Sequence, residues 1–121
     1  MTASLDHVAL TVSDRERSAA FYGRYFGYSK RVHEDDHLLI LAATTPGYLA
    51  LSEGDVPPQP PRTTHFGFSL PSPSDVLELR ERFRADGVKE AEWQDQGTVR
   101  VQIFDPDGYR VDAYSFGAVS S

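Results

Sequence analysis

Two histidines stand in matching contexts in this chain. His7 opens His-x-Ala-x-Thr at residues 7–11, and His65 opens His-x-Gly-x-Ser at 65–69, 58 positions later. A carboxylate, Asp112, sits in the middle of the alternating run 109–116, among aromatic neighbours. A carboxylate so placed needs a cation, a hydrogen-bond donor or water. Two imidazoles and one carboxylate make a three-ligand set with open positions, a recurrent design for Fe(II), Mn(II) or Zn(II). Plainer readings exist for the same residues. A strand histidine also serves as hydrogen-bonded filler, and Asp112 has two arginines to pair with, Arg110 on its own strand and Arg100 on the neighbouring one. The chain has no cysteine, so a catalytic thiol, disulfides and thiolate metal sites are excluded.

The elements that must hold these residues follow from hydrophobic periodicity. Residues 5–12 alternate as a half-buried strand, with Val8, Leu10 and Val12 on the apolar face and His7, Ala9 and Thr11 on the other. Ser13-Asp14-Arg15-Glu16 is a capping-box pattern, opening a helix to about Phe26 that Gly27 ends. Phe21, Tyr22, Tyr25 and Phe26 give that helix an aromatic stripe expected to pack on the sheet. Residues 28–34 and 37–43 read as a hairpin around Asp35-Asp36, and 48–52 as a fourth strand. The order then restarts. Residues 64–70 form a strand, and Ser72-Pro73-Ser74-Asp75 caps a helix with Val76, Leu79 and Phe83 as its stripe and Gly87 as its stop. Three more strands follow at 88–94, 98–104 and 109–116. The last two are joined by the turn Asp105-Pro106-Asp107-Gly108.

The chain therefore reads βαβββ, a stiff linker containing Pro57, Pro58, Pro60 and Pro61, then βαβββ again. Two copies of one unit, each unable to bury its sheet alone, are expected to pair. A pseudo-two-fold repeat would set His7 and His65 facing each other, with Asp112 joining them. The expected fold is α+β: two tandem βαβββ modules pairing into a curved sheet around a cavity. Residues 1–121 would form a single domain, with module one at about 4–53, the linker at 54–63 and module two at about 64–116. The net charge of −6 and the lack of a basic cluster argue against nucleic acid as a partner. No apolar run is long enough to span a bilayer, and the first residues lack the basic and apolar regions of a signal peptide. A cytoplasmic setting without a membrane partner is expected.

On these pieces the sequence resembles the vicinal oxygen chelate superfamily, which includes glyoxalase I, fosfomycin-resistance transferases, extradiol dioxygenases, methylmalonyl-CoA epimerase and bleomycin-resistance proteins. The carriers are LDHVALTVSD, AAFYGRYFGY, THFGFSL, RADGV and FDPDGYRVDAY, which together cover about residues 5–116. The resemblance implies a divalent metal (Fe, Mn, Ni or Zn) held by the first-strand histidine of each module and a last-strand acid. Carried over, these are His7, His65 and Asp112. The usual acid is Glu, so Asp112 is expected to fall short by roughly one ångström. A fourth acid, used by glyoxalase-like members, would fall among Tyr48, Ala50 and Ser52, none of them a carboxylate; this argues against glyoxalase I. The layout, including YLALSEG, is similar to the fosfomycin transferases. Ala9 and the segment Gln94-Asp95-Gln96-Gly97 nevertheless lack their anion-binding groups, so fosfomycin resistance is not expected. Most extradiol dioxygenases have four modules against two here.

Tyr48, Arg100, Gln102 and Tyr114 are the expected substrate-binding residues. Trp93 reads as cavity lining or core, His33 and His37 as solvated, and Arg80, Arg82 and Arg84 as a solvated helix face. The resemblance also implies a homodimer and a small-molecule ligand. Two function classes stay open. One is a metal-dependent lyase, transferase or dioxygenase acting on an oxygen-chelating substrate. The other is a metal-free, bleomycin-resistance-type protein that sequesters an antibiotic or other natural product.

Overall fold

The structure, a computed structural model, describes residues 1–116. Contacts divide the chain into two compact units, Met1–Pro58 and Gln59–Ser121, with the division inside the proline-rich stretch. Four prolines close together remove backbone donors and hold the chain extended, so neither sheet recruits this segment.

The first unit contains strand β1 (His7–Val12), helix α1 (Arg15–Phe26) and strands β2 (Lys30–Glu34), β3 (Leu39–Ala42) and β4 (Tyr48–Glu53). The sheet order is β1-β4-β3-β2, with β1 parallel to β4 and the other pairs antiparallel. Leu10, Val12, Leu39, Leu41, Leu49 and Leu51 are buried and form the core with Tyr22 of α1. Two expectations are corrected here. The capping box at Ser13 does not form: Asp14 is the N-cap, accepting from the Arg17 N–H at 3.0 Å, and Glu16 turns to Arg31 instead. The aromatic stripe is only partly core. Ser18, Ala19 and Tyr22 are the buried positions, while Phe21, Tyr25 and Phe26 are half-buried around it, Phe21 making edge-on contacts with Tyr22 and Tyr25. Gly27 closes the helix at φ 78°, a left-handed conformation that glycine adopts without strain.

The second unit repeats the plan with β5 (Phe66–Ser69), α2 (Pro73–Ala85), β6 (Glu90–Gln96), β7 (Thr98–Phe104) and β8 (Arg110–Ser115). Its order is β5-β8-β7-β6, with β5 parallel to β8. The likeness extends to an irregularity. The register slips between Arg31 and His33 in β2, and again between Glu90 and Glu92 in the equivalent strand β6. Here the capping box is complete: the Ser72 side chain takes the Asp75 N–H, Asp75 returns to the Ser72 N–H, and Pro73 opens the helix. Val76, Leu79 and Phe83 pack with Val99, Val101, Ile103, Val111 and Ala113 in the core. The strands' other face carries polar side chains, and it holds the site.

Replacing the cap by Ser72→Ala should cost about 1 kcal/mol. Urea denaturation would show this as a lowered midpoint at unchanged slope. An unchanged midpoint would mean that the box contributes nothing.

Candidate functional site

Because β-strand side chains alternate, Val99, Val101 and Ile103 turn to α2, which leaves Arg100 and Gln102 on the opposite face of β7. Asp112 of β8 is paired directly with Gln102 on one side and with Gly67 of β5 on the other. It is 6 % exposed. A Cβ built on Gly67 would lie 2.7 Å from the Asp112 Cβ and 3.2 Å from its carbonyl oxygen, so only glycine fits beside this carboxylate.

The two oxygens of Asp112 have different partners. Oδ1 accepts from Gln102 Nε2 at 2.9 Å and from Arg100 NH1 at 3.2 Å. Oδ2 faces His65 Nε2 at 3.1 Å. The other ring nitrogen, Nδ1, lies 3.0 Å from the Thr63 carbonyl, which can only accept, so Nδ1 carries the hydrogen. A neutral His65 would then turn its Nε2 lone pair toward a carboxylate oxygen. A proton on Nε2 or a bound cation relieves that contact. Two ligands held side by side on one divalent ion at about 2.1 Å stand about 3 Å apart, close to the separation found. A carbonyl that fixes the ligand tautomer is also what a metal-binding histidine requires. His65 and Asp112 thus suit two positions of a cation. Gly67, beside Asp112, leaves room for the carboxylate, which lies 3.1 Å from His65. His65 itself precedes β5 rather than lying within it.

Around this pair, Glu92 accepts from Arg100 at 2.9 Å and from Arg62 at 2.8 Å. Those hydrogen bonds, Arg100 first, hold the Glu92 carboxyl below its ordinary range. Burial works against the Arg100 charge, but Glu92 and Asp112 outweigh it and its pKa is raised. A cavity of about 430 Å³ opens over the site, lined among others by His65, Gln94, Thr98, Arg100, Asp112 and Tyr114. Tyr114 stands edge-on to Phe116 there.

In the first unit, His7 is exposed, with Nδ1 3.5 Å from Asp6 Oδ2. It borders a cavity of about 560 Å³ whose walls are mainly apolar: Ala9, Val32, Leu38, Ile40, Tyr48 and Ala50. Ala50 is paired with Ala9 as Asp112 is paired with Gly67, so this sheet has no acid at the equivalent place. Within neither unit do three His, Asp or Glu side chains gather as a metal-binding cluster among the described residues. His33, which reads from the sequence as solvated, is 2.8 Å from Asp35. The backbone N–H of His37, then His33, then the N–H of Leu38 push the Asp35 carboxyl down to about 2.

Arg80 does not belong to a solvated face. It grips Glu90 through two hydrogen bonds, 2.7 and 3.0 Å, and lies 3.8 Å over the Trp93 ring. Sequence patterning alone does not point to Glu92, Arg62 or the Thr63 carbonyl. The only signal for Glu92 was an acid on a strand whose register shift could not be seen.

Residues 4–113 match the model of the Glyoxalase/Bleomycin resistance protein/Dioxygenase superfamily. No curated protein matches significantly. Among solved structures, a protein described as a possible glyoxalase from Bacillus cereus is 22 % identical with a TM-score of 0.78, covering 93 % of this chain and 98 % of its own. Lactoylglutathione lyase from Agrobacterium tumefaciens is 22 % identical with a TM-score of 0.75, covering 94 % of each chain. The fosfomycin resistance protein FosX from Listeria monocytogenes, complexed with Mn(II) and sulfate, is 20 % identical with a TM-score of 0.78, covering 95 % of this chain and 93 % of its own.

Gly67→Ala should push Asp112 off His65 and destabilise the chain by about 1–3 kcal/mol; denaturation at wild-type stability would contradict the close fit. Asp35 should titrate near 2 in a side-chain carbon NMR series. Its depressed value means that its contribution to the hairpin is present above the ordinary Asp range and lost as pH falls through about 2. A midpoint near 4 would show that the three donors do not engage it.

Proposed function

This chain belongs to the glyoxalase/bleomycin resistance protein/dioxygenase superfamily, and from that premise we propose that it is a divalent-metal-dependent enzyme acting on a small oxygen-chelating substrate. His7, His65 and Asp112 are the proposed ligands. The observation that carries the reading is the approach of His65 Nε2 and Asp112 Oδ2 at 3.1 Å, with every other polar atom of the two side chains already engaged. A bound metal would supply Lewis-acid activation of a substrate oxygen. The chain's own residues do the rest. The Thr63 carbonyl orients His65, Gln102 and Arg100 hold Asp112, and Tyr114, Tyr48 and Arg100 present aromatic and cationic surface to the substrate. Mn(II) on the Listeria protein of the same fold supports a divalent ion of this kind. The same reading makes the protein a homodimer.

Two observations favour a second reading. Arg100 already pairs with Asp112, and the cavity beside His7 is largely apolar. A metal-free protein that sequesters an apolar natural product would use such features directly.

Calorimetric titration of chelator-treated protein with Mn(II), Fe(II), Ni(II) and Zn(II) separates the two. Saturable uptake of one ion per chain is expected, lost in His65→Ala and in His7→Ala. Uptake should weaken as pH falls, because ligating imidazole must be neutral and carboxylate ionised. No saturable uptake of any ion, or uptake unchanged in His65→Ala, would leave the sequestering protein as the better account. Sedimentation should show a dimer at micromolar concentration, and a monomer would contradict the assembly.

A further inference from the structure

We infer that Gln102, fixed from behind by Arg110, is a positioning residue that reserves one oxygen of Asp112 for a cation and keeps the other occupied. The inference rests on the metal-site reading above and assigns a role to residues that do not themselves ligate.

Gln102 is 1 % exposed, so its amide has little access to a substrate. Both ends of that amide are engaged. Nε2 donates to Asp112 Oδ1 at 2.9 Å, and Oε1 accepts from Arg110 NH1 at 3.1 Å. A guanidinium has donors only, so the amide oxygen must point to Arg110 and the NH2 group to Asp112. The usual ambiguity of an amide is thereby removed. The cross-strand register supplies the placement. Gln102 is directly opposite Asp112, and Arg110 is opposite Phe104, one diagonal step away. The Arg110 guanidinium lies 4.9 Å from the Phe104 ring centre and 3.8 Å from Glu92, which hold it on that diagonal.

The consequence is chemical. With Gln102 and Arg100 both on Oδ1, Asp112 turns only Oδ2 to His65, so it ligates through one oxygen and leaves more of the metal's positions for substrate. A neutral amide does this without adding positive charge beside a dication. A lysine or arginine at 102 would repel the ion, and an apolar residue would let the carboxylate rotate. The Arg100 charge on the same oxygen is balanced by Glu92 at its far side.

The test is calorimetric titration with Mn(II) of wild type, Gln102→Met, Arg110→Met and the double variant, each checked for fold by circular dichroism. Gln102→Met keeps the volume and removes both hydrogen bonds. It should weaken Mn(II) binding about 10- to 100-fold. Arg110→Met, at a half-exposed position, should fold and give a smaller loss, roughly three-fold or more. The double variant should bind no more weakly than Gln102→Met, because Arg110 acts through Gln102. Unchanged affinity in either single variant, or losses that multiply in the double, would overturn the inference while leaving the metal site standing. Wild type that takes up no Mn(II) or other divalent ion would overturn the metal-site reading and this inference with it. Should Gln102→Met fail to fold, Arg110→Met decides: a loss supports the relay and wild-type affinity refutes it.

Discussion

A carboxylate in the middle of a sheet, almost out of water, has to be compensated where it stands. An isolated buried charge costs several kcal/mol, and β7 supplies the compensation: Gln102 directly opposite and Arg100 one step along both donate to Oδ1. Oδ2 is left facing His65, from the segment entering β5, and it is this oxygen that calls for a proton or a cation. Strand register sets the positions of Gln102 and Arg100, while His65 is placed by the segment that enters β5 and by the Thr63 carbonyl. The demand extends outward: Arg100 needs Glu92, Glu92 takes Arg62, and Gln102 is oriented by Arg110. Even Gly67 follows from it, because any side chain there would occupy the carboxylate's space.

The repeat makes the economy of this arrangement visible. Both units have the same strand order, the same parallel pair and the same bulge in the equivalent strand. The scaffold needs only an apolar face for its helix, and both units provide one. Their other faces have diverged. Where the second unit pairs Gly67 with Asp112, the first pairs Ala9 with Ala50, and the first cavity is mainly apolar while the second carries the ionic network. One supersecondary unit therefore bears two chemistries, separated by a few substitutions on a face that does not contribute to the core.

Much of this could be read in the amino-acid order, for physical reasons that also mark the limits. Period-two alternation placed Arg100, Gln102 and Asp112 on the polar faces of their strands, and the second capping box formed as Ser72, Pro73 and Asp75 indicate. The first box failed because Asp14 is an equally good cap one residue later, while Glu16 has a cation in Arg31 across the unit. Glu92 escaped notice because the register slip before it changes the parity of β6, and nothing local announces a bulge. Arg80 looked solvated because its partners, Glu90 and Trp93, lie on another element. The 3.1 Å approach of Asp112 to His65 depends on the close fit of Gly67 beside it, which no local sequence pattern shows.

In the proposed function, His65 Nε2 and Asp112 Oδ2 together seat a divalent cation. The most direct test is anomalous diffraction at the manganese edge from crystals of the full chain grown with Mn(II). A peak is expected within bonding distance of both atoms, with Asp112 Oδ1 still held by Gln102. A peak elsewhere on the molecule, or none while His65 and Asp112 remain in direct contact, would contradict it.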